Sequence, residues 1–298
     1  MNTDQLLMFD DIQTKIDKSV ERVRDAYRFS QSLGMGKLWV AFSGGKDSVA
    51  LYGVVKMASE KEGIALADYA ELHYSLTTVD PPELVHFIKR EFPFVTITRP
   101  KETMWALIVR KTMPPTRLVR YCCQELKEGG GDGRFCLTGV RWAESTARAS
   151  RGAFESIGAT KKEAVILMED NADDRRLMEH CIPKKKYVGN PIIDWTDEDV
   201  WRFIRTQGLP YCSLYDEGFT RLGCIGCPMA GGKGQAMQFA RYPKIRQAYL
   251  RAFGRMLVER KKRGLETKWK TGEEVMTWWL SDIKSFDEGN ELYDGGKS

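Results

Sequence analysis

Over the first 33 positions, Leu7, Ile12, Ile16, Val20, Val23, Ala26 and Phe29 recur close to the 3.6-residue period of a helix, and Gly34 and Gly36 end that pattern. The period then changes. Short apolar runs at Leu38–Phe42, Tyr69–Tyr74, Phe94–Thr98 and Phe135–Val140 predict strands, and the segments 47–59, 83–91 and 102–111 between them predict helices. Strands that alternate with helices need crossover connections, so the expected fold class is α/β, with a parallel, Rossmann-like sheet flanked by helices. Past about residue 141 the alternation weakens. Thr196 is the expected N-cap of a helix running to Thr206, with Asp197, Glu198 and Asp199 filling its first turn. One long basic helix is expected over 236–263 and another over 272–283. The expected division is a helical segment over 1–36, an α/β domain over 37–230 and a helical, loop-rich C-terminal extension over 231–298.

Composition changes this picture little. The 298 residues are 42% hydrophobic, enough for a substantial core, and the net charge of +5 permits a polyanionic partner without requiring one. No stretch approaches the roughly 18 apolar residues of a membrane span, and the opening residues lack the basic cluster of a signal peptide. Seven cysteines, unevenly grouped, do not resemble a secreted disulfide framework, so a reducing cytoplasm is the expected location.

The richest chemistry lies in Ser43-Gly44-Gly45-Lys46-Asp47-Ser48, between the first predicted strand and its helix. Glycines let backbone N–H groups approach an oxyanion, the helix N-terminus adds partial positive charge, and Lys46 adds a full one. Ser43 and Ser48 add hydroxyl donors. The loop is shorter than a Walker sequence and lacks the Rossmann glycine spacing. It resembles the pyrophosphate loop of N-type ATP pyrophosphatases. A plain helix cap is the alternative reading. Gly139-Val140-Arg141-Trp142-Ala143-Glu144-Ser145, with Arg148 beyond, follows the fourth predicted strand, and Arg141 and Arg148 suit an anionic substrate. A surface Arg–Glu pair is the competing account. Thr78, in Thr77-Thr78-Val79-Asp80-Pro81, is a candidate ribose or base contact, although capping of the next helix explains it equally well.

Cys122-Cys123 and the later Cys224-Ile225-Gly226-Cys227-Pro228 form the second constellation. Two thiolates two residues apart can share one metal or cluster. An adjacent pair is awkward on one ion and easier around a [4Fe–4S] cube. Zinc, a redox dithiol and buried packing all remain open on spacing alone. Cys136, Cys181 and Cys212 are read as core thiols. Lys184–Lys186 and Arg260–Arg263 are read as solvated charge runs, with nucleic-acid contact as the alternative.

Taken in order, Ser43–Ser48, Arg120–Lys127, Gly139–Ser145, Asn190–Trp201 and Gly223–Pro228 resemble the phosphoadenosine phosphosulfate (PAPS) reductase family over about residues 38–230. The resemblance implies an adenine nucleotide α-hydrolase-like fold with nucleotide over the carboxyl edge of the sheet. It further implies that Ser43, Gly44, Gly45, Lys46, Asp47 and Ser48 hold phosphates, that Arg141, Glu144 and Arg148 line the anion site, and that Cys122, Cys123, Cys224 and Cys227 hold a [4Fe–4S] cluster. Two departures matter. No cysteine follows Cys227, where assimilatory reductases carry a nucleophilic tail cysteine, and Lys46 is kept where those reductases usually replace it. Both favour Mg²⁺-ATP over a sulfonucleotide. The expectation is therefore an ATP-dependent adenylating sulfurtransferase in which Lys46, Asp47 and Arg141 are catalytic. Asp47 is a candidate Mg²⁺ contact. A nucleic acid of the kind modified by DNA phosphorothioation and tRNA thiolation enzymes fits as acceptor, and a cysteine desulfurase fits as sulfur donor. Sulfonucleotide reduction and a non-catalytic iron–sulfur subunit are the alternatives.

Overall fold

The computed structural model describes residues 3–127, 129–144, 153–157, 165–168 and 186–281. Its elements are α1 (Thr3–Ser32), β1 (Leu38–Ala41), α2 (Lys46–Lys61), α3 (Leu66–Tyr69), β2 (Ala70–Ser75), α4 (Pro82–Glu91), β3 (Thr96–Thr98), α5 (Met104–Lys111), α6 (Tyr121–Leu126), β4 (Phe135–Leu137), β5 (Phe154–Ile157), β6 (Val165–Met168), β7 (Lys186–Gly189), α7 (Asp197–Thr206), α8 (Gly231–Arg241), α9 (Pro243–Lys262) and α10 (Gly272–Leu280). The chain divides into two units. The first comprises Met1–Tyr74, Pro82–Thr98 and Gly130–Leu222, and the second Ser75–Pro81, Arg99–Gly129 and Gly223–Ser298.

The first unit holds the sheet, in strand order β3-β2-β1-β4-β7-β5-β6. Strand β1 pairs in parallel with β2 and β4, placing Val40 opposite Leu72 on one side and Leu137 on the other. β4 continues in parallel to β7. β1 is central and its Leu38 and Val40 are fully buried, as the continuous apolar run of a two-sided parallel strand requires. The chain moves outward from β1 to β2 and β3, then returns to add β4 on the opposite side. The carboxyl ends of β1 and β4 therefore flank the point where strand order reverses, where open α/β sheets take ligands. The expected parallel α/β sheet is present, and β5 adds an antiparallel margin by pairing with β7 and β6. Strands β5, β6 and β7 lie in the stretch where the sequence pattern shows no regular alternation.

The second unit is helical. Tyr249 and Trp279 lie with ring centroids 4.9 Å apart, and Phe239 and Phe253 pack around them. The Trp279 indole N–H donates to the Pro115 carbonyl at 2.6 Å, which satisfies the polar edge of a buried ring. The single helix expected over 236–263 is two helices. Tyr242 leaves helical geometry (φ −122°, ψ 65°), and Pro243 opens α9 because it has no N–H to continue α8. Helix α6 is also absent from the sequence expectation; six residues give too little periodicity to register. Among the described residues, no helix is long and apolar enough to cross a membrane.

Candidate functional site

The loop between β1 and α2 is built around two glycines with different tasks. Gly44 adopts φ +72°, and a Cβ there would meet the Leu84 and Ile88 side chains at 2.7–2.8 Å. A larger residue is thus excluded by backbone conformation and by space. Gly45 is the N-cap of α2 and provides no side-chain cap; the first amide of the helix, the Lys46 N–H, donates to the Tyr215 hydroxyl at 2.8 Å. Ser43 Oγ donates to Ser48 Oγ at 3.2 Å, and Ser48 Oγ donates to the Gly45 carbonyl at 2.9 Å, tying the loop to the helix it opens. Gly139, after β4, lies against the same turn. A Cβ at Gly139 would come within 2.9 Å of the Asp47 carbonyl oxygen and 3.3 Å of the Ser48 nitrogen. This glycine sets the spacing between backbone segments.

Charge around the loop is paired. Lys46 is buried at 6% exposure and its ammonium lies 3.4 Å from Asp197 and 3.5 Å from Asp47. Arg141 is 1% exposed; its Nε donates to Asp47 at 2.8 Å and its Nη1 donates to the Trp195 carbonyl at 3.0 Å. Its Nη2 donates to Asp197. Burying a guanidinium is tolerable only with this degree of satisfaction. Asp197 has a 71% exposed side chain; the burial of its carboxyl tends to raise its pKa, but the Arg141 hydrogen bond and Lys46 outweigh that and hold it below the usual aspartate value. Asp197 starts α7, whose Thr196 cap and Asp199 form a reciprocal capping box. Its sequence position marks it only as a helix-start acid, so its link to Lys46 and Arg141 appears only in the fold.

Of the sequence-predicted nucleotide residues, Ser43, Gly44, Gly45, Lys46, Asp47, Ser48, Gly139 and Arg141 thus come together in the first unit. Glu144 ends a short 3₁₀ turn, Trp142–Glu144, and its side chain lies outside the described set. Ser145, Arg148, Cys181 and Lys184–Lys185 lie outside the described residues. Thr78 belongs to the second unit. It adopts φ +67°, unusual for a β-branched residue, and its Oγ1 accepts from the Met104 N–H at 2.9 Å. That bond serves the first amide of α5 and not α4, the helix that follows Thr78 and whose capping was the expected alternative. Lys46, Asp197, Trp201 and Tyr215 line one cleft of about 350 Å³. Tyr215 was not among the sequence candidates; nothing in its local pattern signals that it reaches the loop 169 residues away.

The second unit assembles the thiols. Cys122 and Cys123 lie in the first turn of α6, and Cys224 and Cys227 bracket a turn closed by the Cys227 N–H donating to the Cys224 carbonyl at 3.2 Å. Gly226 makes that turn possible. Its φ is +74°, and a Cβ would meet Phe239 at 2.5 Å. Its N–H donates to Gln238 at 2.7 Å and its carbonyl accepts from Gln235 at 3.0 Å, so two glutamines of α8 fix the turn. Cys122 is pushed far up by its hydrogen bond with Cys123, then by burial and by Cys123, Cys224 and Cys227 nearby. Cys227 is raised by burial and by Cys224. Lys127 has its charged form favoured first by Cys224, with Asp80 and Cys123 adding to the effect. Among the described residues, no three His, Cys, Asp or Glu side chains form a ready set for a single metal ion. Four thiols within electrostatic reach, two on α6 and two on a turn locked at Gly226, have the chemistry of a donor set for a larger cluster.

The profile of the phosphoadenosine phosphosulfate reductase domain matches residues 37–230. An adenosine 5'-phosphosulfate reductase of Pseudomonas aeruginosa is 26% identical over 211 residues, 64% of this chain and 66% of that one. An uncharacterized protein of Methanocaldococcus jannaschii is 25% identical over 219 residues, 70% of this chain, and the match spans only 38% of the archaeal protein. Among solved structures, the PAPS reductase of Candida auris gives a TM-score of 0.41 at 13% identity, covering 68% of this chain and 87% of that one. The U34-tRNA thiolase of Methanococcus maripaludis, solved with its [4Fe–4S] cluster, gives 0.37 at 12% identity over 86% of this chain and 82% of that one.

Proposed function

Because the chain belongs to the phosphoadenosine phosphosulfate reductase family, whose members are enzymes acting on adenine nucleotides, we propose that it adenylates an acceptor with ATP as the first step of a sulfur transfer. The observation that carries this reading is Lys46, a buried ammonium at the first turn of α2 beside a glycine loop. A sulfonucleotide ending in a sulfated monophosphate makes little use of such a group, whereas a leaving pyrophosphate does. In the proposed step an acceptor oxygen attacks the α-phosphorus of ATP and the bond to the β-phosphate oxygen breaks, so the electron pair leaves on pyrophosphate. Lys46 and the amides of the loop stabilise that charge, the dominant contribution in transfers of this type. Arg141 orients Asp47 and Asp197 through its hydrogen bonds, and so holds Lys46 where the charge develops. A sulfide equivalent from a separate donor then displaces AMP from the activated acceptor.

Cys122, Cys123, Cys224 and Cys227 would hold the cluster, which when bound supplies an iron site able to carry sulfide. Nucleic acid is the acceptor class proposed, and a cysteine desulfurase the donor, with an external dithiol supplying the two electrons that bring its persulfide sulfur to the sulfide level.

Turnover tests the reading. Anaerobically purified protein should release pyrophosphate from Mg²⁺-ATP when supplied with a nucleic-acid acceptor, and Lys46→Ala should lower that rate by about 10²–10³-fold. Undiminished release by Lys46→Ala would sink the proposal. The reductase relatives favour one rival, sulfonucleotide reduction; sulfite release from adenosine 5'-phosphosulfate or PAPS, without pyrophosphate from ATP, would establish it instead.

A further inference from the structure

Tyr215 sits at the end of a short 3₁₀ turn, Ser213–Tyr215, anchored by buried Cys212 and Leu214. Its ring is held edge-on against Trp201, with centroids 4.9 Å apart at 89°. Its hydroxyl accepts a hydrogen bond from the Lys46 backbone N–H at 2.8 Å, the first amide of α2. That bond uses the acceptor side of the oxygen. A tyrosine hydroxyl also carries one proton to donate, and among the described residues that proton meets no acceptor. The same cleft contains the Lys46 side chain and Asp197. Burial keeps the phenol protonated well above its usual range, with the Lys46 amide acting in the opposite sense.

We propose that Tyr215 is a phosphate-binding residue, donating its O–H to a phosphoryl oxygen of the bound nucleotide and so extending the amide cradle of the Ser43–Ser48 loop by one hydroxyl. The Lys46 amide at the positive end of α2 polarises the phenol, and hydrogen bonds in such a chain strengthen one another. A phosphoryl oxygen is the chemical match because the cleft already presents an ammonium and a helix start. The rigid ring, braced by Trp201, fixes the direction of donation with little rotamer entropy to lose.

This inference rests on the reading that the loop binds nucleotide phosphates, and the test separates the two. Wild type, Tyr215→Phe and Lys46→Ala full-length proteins are titrated calorimetrically with Mg²⁺-ATP and with adenosine. Their unfolding temperatures are measured without ligand. Loss of a hydrogen bond to a charged oxygen should weaken ATP binding by Tyr215→Phe roughly tenfold or more, with adenosine affinity unchanged and the unfolding temperature lowered only by the few degrees that a lost helix cap accounts for. Wild-type or tighter ATP binding by Tyr215→Phe would overturn the proposal, since the hydroxyl would then only cap an amide. Equal losses for ATP and adenosine, with a larger fall in unfolding temperature, would overturn it in favour of a packing role. If the wild type binds no ATP, the reading of the loop falls, and this inference falls with it.

Discussion

The loop after β1 and the four thiols of the second unit handle charge in opposite ways. Around the loop, Lys46 and Arg141 are each matched to Asp47 and Asp197, and the buried guanidinium also donates to the Trp195 carbonyl. Ionised groups are thus assembled in advance. At the thiols, burial and mutual proximity disfavour ionisation of Cys122 and Cys227, with Lys127 the nearby cation. The first arrangement suits a ligand that arrives already charged. The second suits a cationic guest able to turn thiols into thiolates, because bound metal stabilises the deprotonated form.

Removing Arg141 should break this contrast most severely. Arg141→Leu leaves Asp47 and Asp197 without their guanidinium, and losing hydrogen bonds to charged groups of this kind, with Lys46 still beside both carboxylates, costs about 1.5–3 kcal/mol. Chemical denaturation should show a midpoint shift of that size; a shift below about 1 kcal/mol would mean the pairing is incidental. Next in size, Cys224→Ala takes away one of four proposed cluster ligands. Iron content after anaerobic purification should fall well below wild type, and equal iron content would remove Cys224 from the donor set. Gly139→Ala acts through backbone spacing. Its Cβ would press on the Asp47 carbonyl at 2.9 Å, and overpacking of this kind costs about 1–3 kcal/mol. We expect a lowered unfolding midpoint together with weaker ATP binding, because the first turn of α2 must shift.

The smallest effect is one of pH. The folded-state pKa of Asp197 is depressed, so its contribution is fully present above its unfolded value of about 3.9 and is lost as pH falls through the lower folded value. With the side chain largely exposed, that contribution is under about 1 kcal/mol. Asp197→Asn should therefore lose slightly less stability than wild type when acidified from about pH 6 to about pH 3; identical curves would show that the carboxylate is not linked to folding.

Much of the first unit was legible because its signals are local. The run Leu38–Phe42 locates β1, which spans Leu38–Ala41, and the glycines after it mark the turn. The partnership of Arg141 was not legible. A guanidinium in Arg-Trp-Ala-Glu suggests a pair with Glu144 or with ligand, and nothing local points to Asp47 and Asp197, 94 and 56 residues away, which are among its partners. Tyr215 was missed for the same reason. The two-helix break at Tyr242 was readable in principle, since Pro243 sits in the middle of the expected 236–263 helix, but continuous amphipathic spacing on both sides masked it. Gln235 and Gln238, which fix the Cys224–Cys227 turn, carry no signature beyond lying one helical turn apart.

The capping hydroxyl of Tyr215 has a consequence for biosynthesis. Residues 43–48 leave the ribosome early, yet their aspartate, arginine, carbonyl and phenol partners are supplied by positions 141, 195, 197 and 215. Domains form as their parts emerge, so a nascent chain halted before position 215 has the glycine turn without the groups that finish it. The loop is then completed late in translation, when the stretch from 195 to 215 docks.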